Sequence, residues 1–348
     1  MAAPAIPFKP RNRPPTSARQ AFPLQGGLQG MFERAQALLA EPFKGLTTDG
    51  NAIPGLYSIH KTGVSTQPLV DAAEAYLAAL SSAQRERACF AVDSDEWRKW
   101  SNIHPWLMRH GQGLVDLSDS QREAALGLLR ATLSASGFEL ARNIMRLNEY
   151  IGELTGGKWE EYGEWYYWMS LFGTPSTVEP WGWQIDGHHL IVNCFVLGDQ
   201  ITITPAFMGS EPVSADTGKW AGIRVFQDEE AKGYAVMASF TADQKAKATI
   251  GMKLPFDGTI AAFKDNLVVP DEGVCCKDMA PDQQAKLVSL LETYVARMRP
   301  GHAEVWLEQI KRHLPETYFS WIGECNEVDP FYYRVVSPVI MIEFDHQP

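Results

Sequence analysis

The stretch "EPWGWQIDGHHLIVNCFVLGDQITITP" (Glu179–Pro205) sets two tryptophans, a glutamine, an Asp-Gly pair and two adjacent histidines just ahead of an apolar run. Asp-Gly is among the strongest two-residue hairpin signals, because both residues tolerate the left-handed backbone that such a turn needs. A turn at Asp186-Gly187 predicts that Ile185 faces His188, Gln184 faces His189 and Trp183 faces Leu190. A second turn at Gly198-Asp199 then pairs Val196 with Ile201 and Asn193 with Thr204. Side chains alternate along a strand. One face therefore carries Trp181, Trp183, Ile185, His188, Leu190, Val192, Cys194 and Val196, and reads as core. The other carries Gln184, His189, Ile191, Asn193, Phe195, Thr202 and Thr204, a mixed face rich in hydrogen-bonding groups. On this register the two histidines point to opposite faces, and His189 is the functional candidate. A turn placed elsewhere reverses that assignment.

Working outward, "EWYYWMSLFG" (Glu164–Gly173) reads as an aromatic strand, and "FYYRVVSPVIMIEFD" (Phe331–Asp345) as a strand broken at Ser337-Pro338. Helices are expected on both sides of this β-rich centre. Three of them start alike, with Ser81, Ser118 and Thr241 each three residues before a Gln. In that arrangement a hydroxyl and an amide reciprocally satisfy orphan backbone N–H groups. A fourth start has Pro281 just inside it. Apolar residues at helical spacing (Leu287, Leu290, Leu291, Tyr294, Met298) predict a core-facing stripe. The expected fold class is α+β, a central and mostly antiparallel sheet flanked by helices. The similar spacing of the cap motifs hints at a distant internal duplication. Residues 1–20, rich in proline, read as an extended arm, and 21–348 as a single α+β domain.

The formal net charge of −11 argues against nucleic acid or an anionic membrane surface as partner, since both are negatively charged. No run approaches the 18 or so apolar residues of a membrane span. Five cysteines (Cys89, Cys194, Cys275, Cys276, Cys325) are too few and wrongly spaced for zinc pairs, and fit a reducing, cytoplasmic setting. The segment Gly26–Gly30 lacks the preceding strand and the spacing of a phosphate loop. HExxH, paired CxxC and GxSxG are all missing.

A metal site needs three or four convergent ligands, and candidates are dispersed. His189, another histidine and Glu343 would make a 2-His-1-carboxylate set for a divalent ion such as zinc or iron. Asn193 and Arg334 are candidate catalytic groups beside His189. Trp181, Trp183, Gln184, Thr204 and Arg224 are candidates for contacting substrate: aromatics line organic-ligand pockets, and guanidinium binds a carboxylate in bidentate fashion. Arg109 is a further cationic candidate, and His60, His104, His110, His302 and His313 are histidines that a fold could bring in. The same aromatics would equally build a core.

The order "PFKGLTTDG" (Pro42–Gly50), "WRKWSN" (Trp97–Asn102), "RHGQGLVDLS" (Arg109–Ser118), "PWGWQIDGHHLIVN" (Pro180–Asn193), "TPAFMGSEPV" (Thr204–Val213) and "YYRVVSPVIMIEF" (Tyr332–Phe344) resembles the domain of unknown function 3500 family. The resemblance runs from about Pro42 to Phe344. It marks His188, His189, Asn193, Arg334 and Glu343 as the matching positions, with His188 joining His189 and Glu343 as a metal candidate. Members of that family are expected to carry a further His-x-His segment beyond the Ile-Glu-Phe strand, which is either absent here or lies past Pro348. The expected activity is metal-assisted hydrolysis of a small aromatic or apolar compound. The alternatives are non-haem iron oxygenation, metal-free acid/base chemistry by His189, and a binding protein whose aromatic cluster holds a ligand or a second subunit of a homo-oligomer.

Overall fold

The computed structural model describes residues 27–102, 110–157, 159, 162–255, 258–326 and 328–347. The proline-rich arm, His104 and Arg109 lie outside these residues. After helix α1 (Gly27–Leu39) and a short strand β1 (Gly45–Thr47), the chain runs twice through one sequence of elements. The first pass is α2 (Gln67–Ala79), α3 (Ser82–Ala88), β2 (Cys89–Phe90), β3 (Gln112–Gly113), α4 (Asp119–Thr132), α5 (Ala135–Leu154), β4 (Tyr167–Phe172), β5 (Trp181–Gly187) and β6 (Leu190–Leu197). Strands β7 (Gln200–Thr202) and β8 (Ala206–Met208) follow. The second pass is α6 (Gln227–Ala238), α7 (Ala242–Ala248), β9 (Thr249–Gly251), β10 (Asn266–Val268), β11 (Val274–Cys275), α8 (Pro281–Val295), α9 (His302–Arg312), β12 (Tyr318–Ile322), β13 (Tyr332–Val336) and β14 (Met341–Asp345). Within it, β10 has no counterpart among the described residues and pairs with β1.

Pairing repeats along with order. In the first sheet β2 lies parallel and β3 antiparallel to β4, and β4–β5–β6 form an antiparallel meander. In the second, β9 lies parallel and β11 antiparallel to β12, and β12–β13–β14 form the meander. Ser170 sits opposite Gln184, and Gln184 opposite Asn193. Likewise Ser320 sits opposite Arg334, and Arg334 opposite Glu343. The fold is thus α+β with mostly antiparallel sheets, as expected, and the hint of duplication becomes a matching topology and register.

The helix starts carry the same message. Ser81, Ser118 and Thr241 form the expected capping boxes with Gln84, Gln121 and Gln244. The glutamines also bond to one another across helices. The Gln121 amide donates to Gln84 Oε1 at 2.8 Å, and that of Gln283 donates to Gln244 Oε1 at 2.9 Å. Each capping pair therefore ties together two helices of its own half.

Each half buries its own core. Trp181, Trp183, Ile185, Leu190, Val192 and Cys194 pack against Leu69, Leu128, Leu129 and Ile144 in the first. In the second, Phe319, Trp321, Tyr333 and Val335 pack against Val236, Leu287, Leu290 and Leu291. The halves meet where their helix pairs turn: Leu133 bridges Met298, Ser134 N donates to Arg297 O at 2.9 Å, and Arg299 N donates to Thr132 O at 3.0 Å. Among the described residues, no helix is long and apolar enough to cross a membrane.

Two glycines at equivalent places admit no side chain. Gly111 (φ +87°) would set a Cβ 2.7 Å from Met169 O, and Gly273 (φ +96°) one 2.0 Å from Phe319 O. Gly111→Ala and Gly273→Ala should each destabilise the protein by roughly 2–4 kcal/mol, through strain at positive φ and backbone overlap. Urea titration measures this; a loss below about 0.5 kcal/mol at either position would contradict the described backbone.

Candidate functional site

The chain does not turn at Asp186-Gly187. The β5–β6 ladder runs from Trp181↔Val196 to Ile185↔Val192, so Gln184 faces Asn193 rather than His189. The turn falls on His188-His189, and His189 takes the left-handed backbone with φ +59°. Tertiary contacts override the local signal. Gly187 is required because a Cβ there would lie 2.3 Å from the Tyr167 ring, and the Asp186 carboxylate accepts from Ser101 N at 3.1 Å. Because the register moves by an even number of residues, the division of β5 and β6 into two faces survives. The expected separation of the histidines does not: their ring centroids lie 4.1 Å apart.

The turn is gripped from both sides, His189 N donating to Asn102 O at 3.1 Å and Gly209 N donating to His189 O at 2.9 Å. The second of these ties the turn to the segment after β8 and brings Glu211 alongside. Ligand-capable atoms of His188, His189 and Glu211 all lie within 4.8 Å of one another. His188 is buried, and its Nδ1 lies 2.9 Å from Asn148 Oδ1. The Asn148 amide is itself oriented by donation from Nδ2 to Gly163 O at 2.9 Å. Oδ1 must therefore accept, which makes Nδ1 of His188 a protonated nitrogen and places the lone pair of the neutral ring on Nε2. The Tyr167 hydroxyl fixes the backbone by donating to His188 O at 2.9 Å.

His189 is different. Both its ring nitrogens are buried and neither has a hydrogen-bond partner among the described residues. Such a group is costly to bury unsatisfied and calls for an explanation. Its ring lies against Phe207, with centroids 6.2 Å apart. Burial lowers its pKa to about 4, so at neutral pH it is an uncharged imidazole with a lone pair to offer. His189 and Glu211 line a wide cleft of about 2950 Å³, bordered by residues of both halves.

The other expected site residues are dispersed. Trp181 and Trp183 are wholly buried in the first core, on the face away from Gln184. Gln184 and Asn193 are buried as well, in a relay: the Gln184 amide donates to Trp97 O at 3.1 Å and to Asn193 Oδ1 at 2.5 Å, and Asn193 donates to Pro205 O at 2.8 Å. His110 Nε2 completes the relay on Gln184 Oε1. At Gln184 and Asn193 that face is covered, by Trp97 and Pro205, and these residues are not open to solvent. Thr204 is exposed on the cleft wall. Arg224 is an exposed surface residue paired with Asp216 at 3.3 Å. Arg334 is buried in the second half and paired with Glu272 at 2.6 Å.

Glu343 is not in the histidine cluster. Its carboxylate accepts from Thr259 N at 2.8 Å, from Ile260 N at 2.6 Å and from the Tyr332 hydroxyl. Glu211 stands in its place. The signal for it lay in "MGSEPV", a carboxylate just beyond the strand that pairs with Leu190–Val192. Asn148, on α5, gave no sign in the sequence of facing a histidine.

The chain matches a family model with the description "Protein of unknown function (DUF3500)" over residues 62–348, and it belongs to that family. No curated protein and no solved structure matches it.

The buried relay gives a pH prediction. Burial pushes the His110 pKa down, opposed by Glu96 and the Gln184 hydrogen bond, with Lys99 adding to the depression. The unfolded chain takes up this proton near pH 6.5 while the folded one resists. Its contribution to stability is thus complete above about pH 6.5 and is lost as pH falls below it. A His110→Asn variant should lose less stability than the parent between about pH 7 and 5 in urea titrations. An identical pH profile would contradict the burial of a neutral His110.

Proposed function

We propose that this protein is a divalent-metal-dependent enzyme that hydrolyses a small apolar or aromatic compound in the cleft, with His188, His189 and Glu211 holding the ion. The observation that carries the proposal is the pair of buried ring nitrogens on His189 that lack a partner among the described residues, with ligand-capable atoms of His188 and Glu211 within 4.8 Å. Two imidazoles and one carboxylate are an established ligand set for catalytic zinc, and three protein ligands leave a position open for water or substrate. When bound, the ion would supply Lewis-acid chemistry, polarising a carbonyl or lowering the pKa of water.

The protein's own residues account for the rest. Asn148 holds His188 in the ligating tautomer, as a hydrogen-bonding partner behind a metal-binding histidine does. Phe207, against the His189 ring, and Trp100, packed with Phe207, line the cleft with apolar surface suited to an aromatic or aliphatic group. The same ligand types serve non-haem iron, so the identity of the metal separates hydrolysis from oxygenation.

Protein purified without a histidine tag should carry about one zinc or iron per chain by elemental analysis, the stoichiometry that a single three-ligand site requires. His189→Asn and Glu211→Gln should each abolish stoichiometric binding, while Arg224→Ala leaves it unchanged. Asn148→Leu should weaken affinity by about 10–100-fold without removing a ligand. Iron together with substrate-dependent oxygen uptake would move the assignment to oxygenation. No metal in the parent protein, and no activity toward apolar esters and amides after zinc or iron is added, would end the proposal.

A further inference from the structure

We infer that Glu343 is a positioning residue acting across the two halves: the second half holds the loop that in turn holds His189. The inference rests on the metal-site reading above.

The duplication makes Glu343 the counterpart of Asn193, Arg334 that of Gln184, and Glu272 that of His110. In the first half this trio is a neutral relay that ends on a carbonyl of its own half, Pro205 O. In the second half it is ionic, and it ends on the loop between β9 and β10, whose later residues contact the first half. Arg334 is bound to Glu272, and Glu343, opposite Arg334 across β13–β14, grips two successive backbone N–H groups, those of Thr259 and Ile260. A carboxylate accepting such hydrogen bonds forms stronger links than the amide at the equivalent place can.

The gripped loop leads to the site. Ala262 N donates to Asn102 Oδ1 at 3.3 Å, and Asn102 O accepts from His189 N at 3.1 Å. Ala262 and Phe263 also pack with Trp100, Ile191 and Phe207, and Phe207 lies against the His189 ring. At its far end the loop is anchored to the first half by the two-bonded ion pair of Asp265 with Arg98, 2.5 and 3.1 Å. Glu343 is thus connected to His189 by one hydrogen-bonded path and one packed path, without touching it.

The test is a metal-competition titration on the full chain with zinc and a chromophoric chelator, paired with thermal melts. Glu343→Gln should keep one ion per chain but weaken affinity about 10-fold, the effect of losing an outer hydrogen-bonding partner. Tyr332→Phe, which removes the hydroxyl donor while leaving the ring, should shift affinity the same way by less and covers the case in which Glu343→Gln fails to fold. In a double-mutant cycle with Asn102→Ala the two effects should be non-additive, because both act through one loop. Unchanged affinity in Glu343→Gln, whether or not its melting temperature falls, would overturn the inference and leave the metal site standing. So would complete loss of the ion equal to that of Glu211→Gln, which would make Glu343 a ligand. A parent protein that binds no zinc would instead remove the metal-site reading itself.

Discussion

The side-chain hydrogen bond from Gln184 to Asn193, 2.5 Å long and buried within the first sheet, locks the register on which the candidate site depends. A shift by one residue would turn every core side chain of the hairpin outward. A shift by two would keep the faces but move the turn off the histidines. With the register fixed, His188-His189 become the turn itself. A turn frees both side chains from strict strand alternation, which is how two adjacent residues bring their rings to one place. Asn102, Gly209 and Asn148 then hold backbone and ring in position.

Much of the fold was legible. Cap chemistry is local, so Ser81, Ser118 and Thr241 declared their helices, and period-2 alternation separated the core face of β5 and β6 from the polar one. The turn was not legible, because Asp186 and Gly187 serve distant partners: the backbone of Ser101 and the ring of Tyr167. Gln184 and Asn193 looked like an open functional face because sequence shows which side a residue takes and not what covers that side. Glu343, expected beside the histidines, instead holds the backbone of Thr259 and Ile260, which no spacing rule connects to it. Glu211 and Asn148 come from segments far from the histidines in sequence, and no spacing rule connects them.

The duplication explains how this specialisation is accommodated. Both halves keep the meander, the parallel β2–β4 or β9–β12 pairing, the glutamine clasp and the positive-φ glycine before β3 or β11. They differ where the hairpins turn, His188-His189 in one and Ser337-Pro338-Val339-Ile340 in the other. They differ also in the trio behind the hairpin, neutral in one half and charged in the other. One half carries the candidate ligands, while the other carries the ionic grip on the loop beside them.

The most direct measurement of the central claim is X-ray absorption at the metal edge of the zinc-loaded protein. Nitrogen and oxygen scatterers are expected at about 2.0–2.2 Å, with outer-shell features of two imidazoles, and that zinc signal should be lost in His189→Asn, which retains no stoichiometric ion. A spectrum without imidazole scattering, or one unchanged by His189→Asn, would show that the histidine turn does not hold the ion.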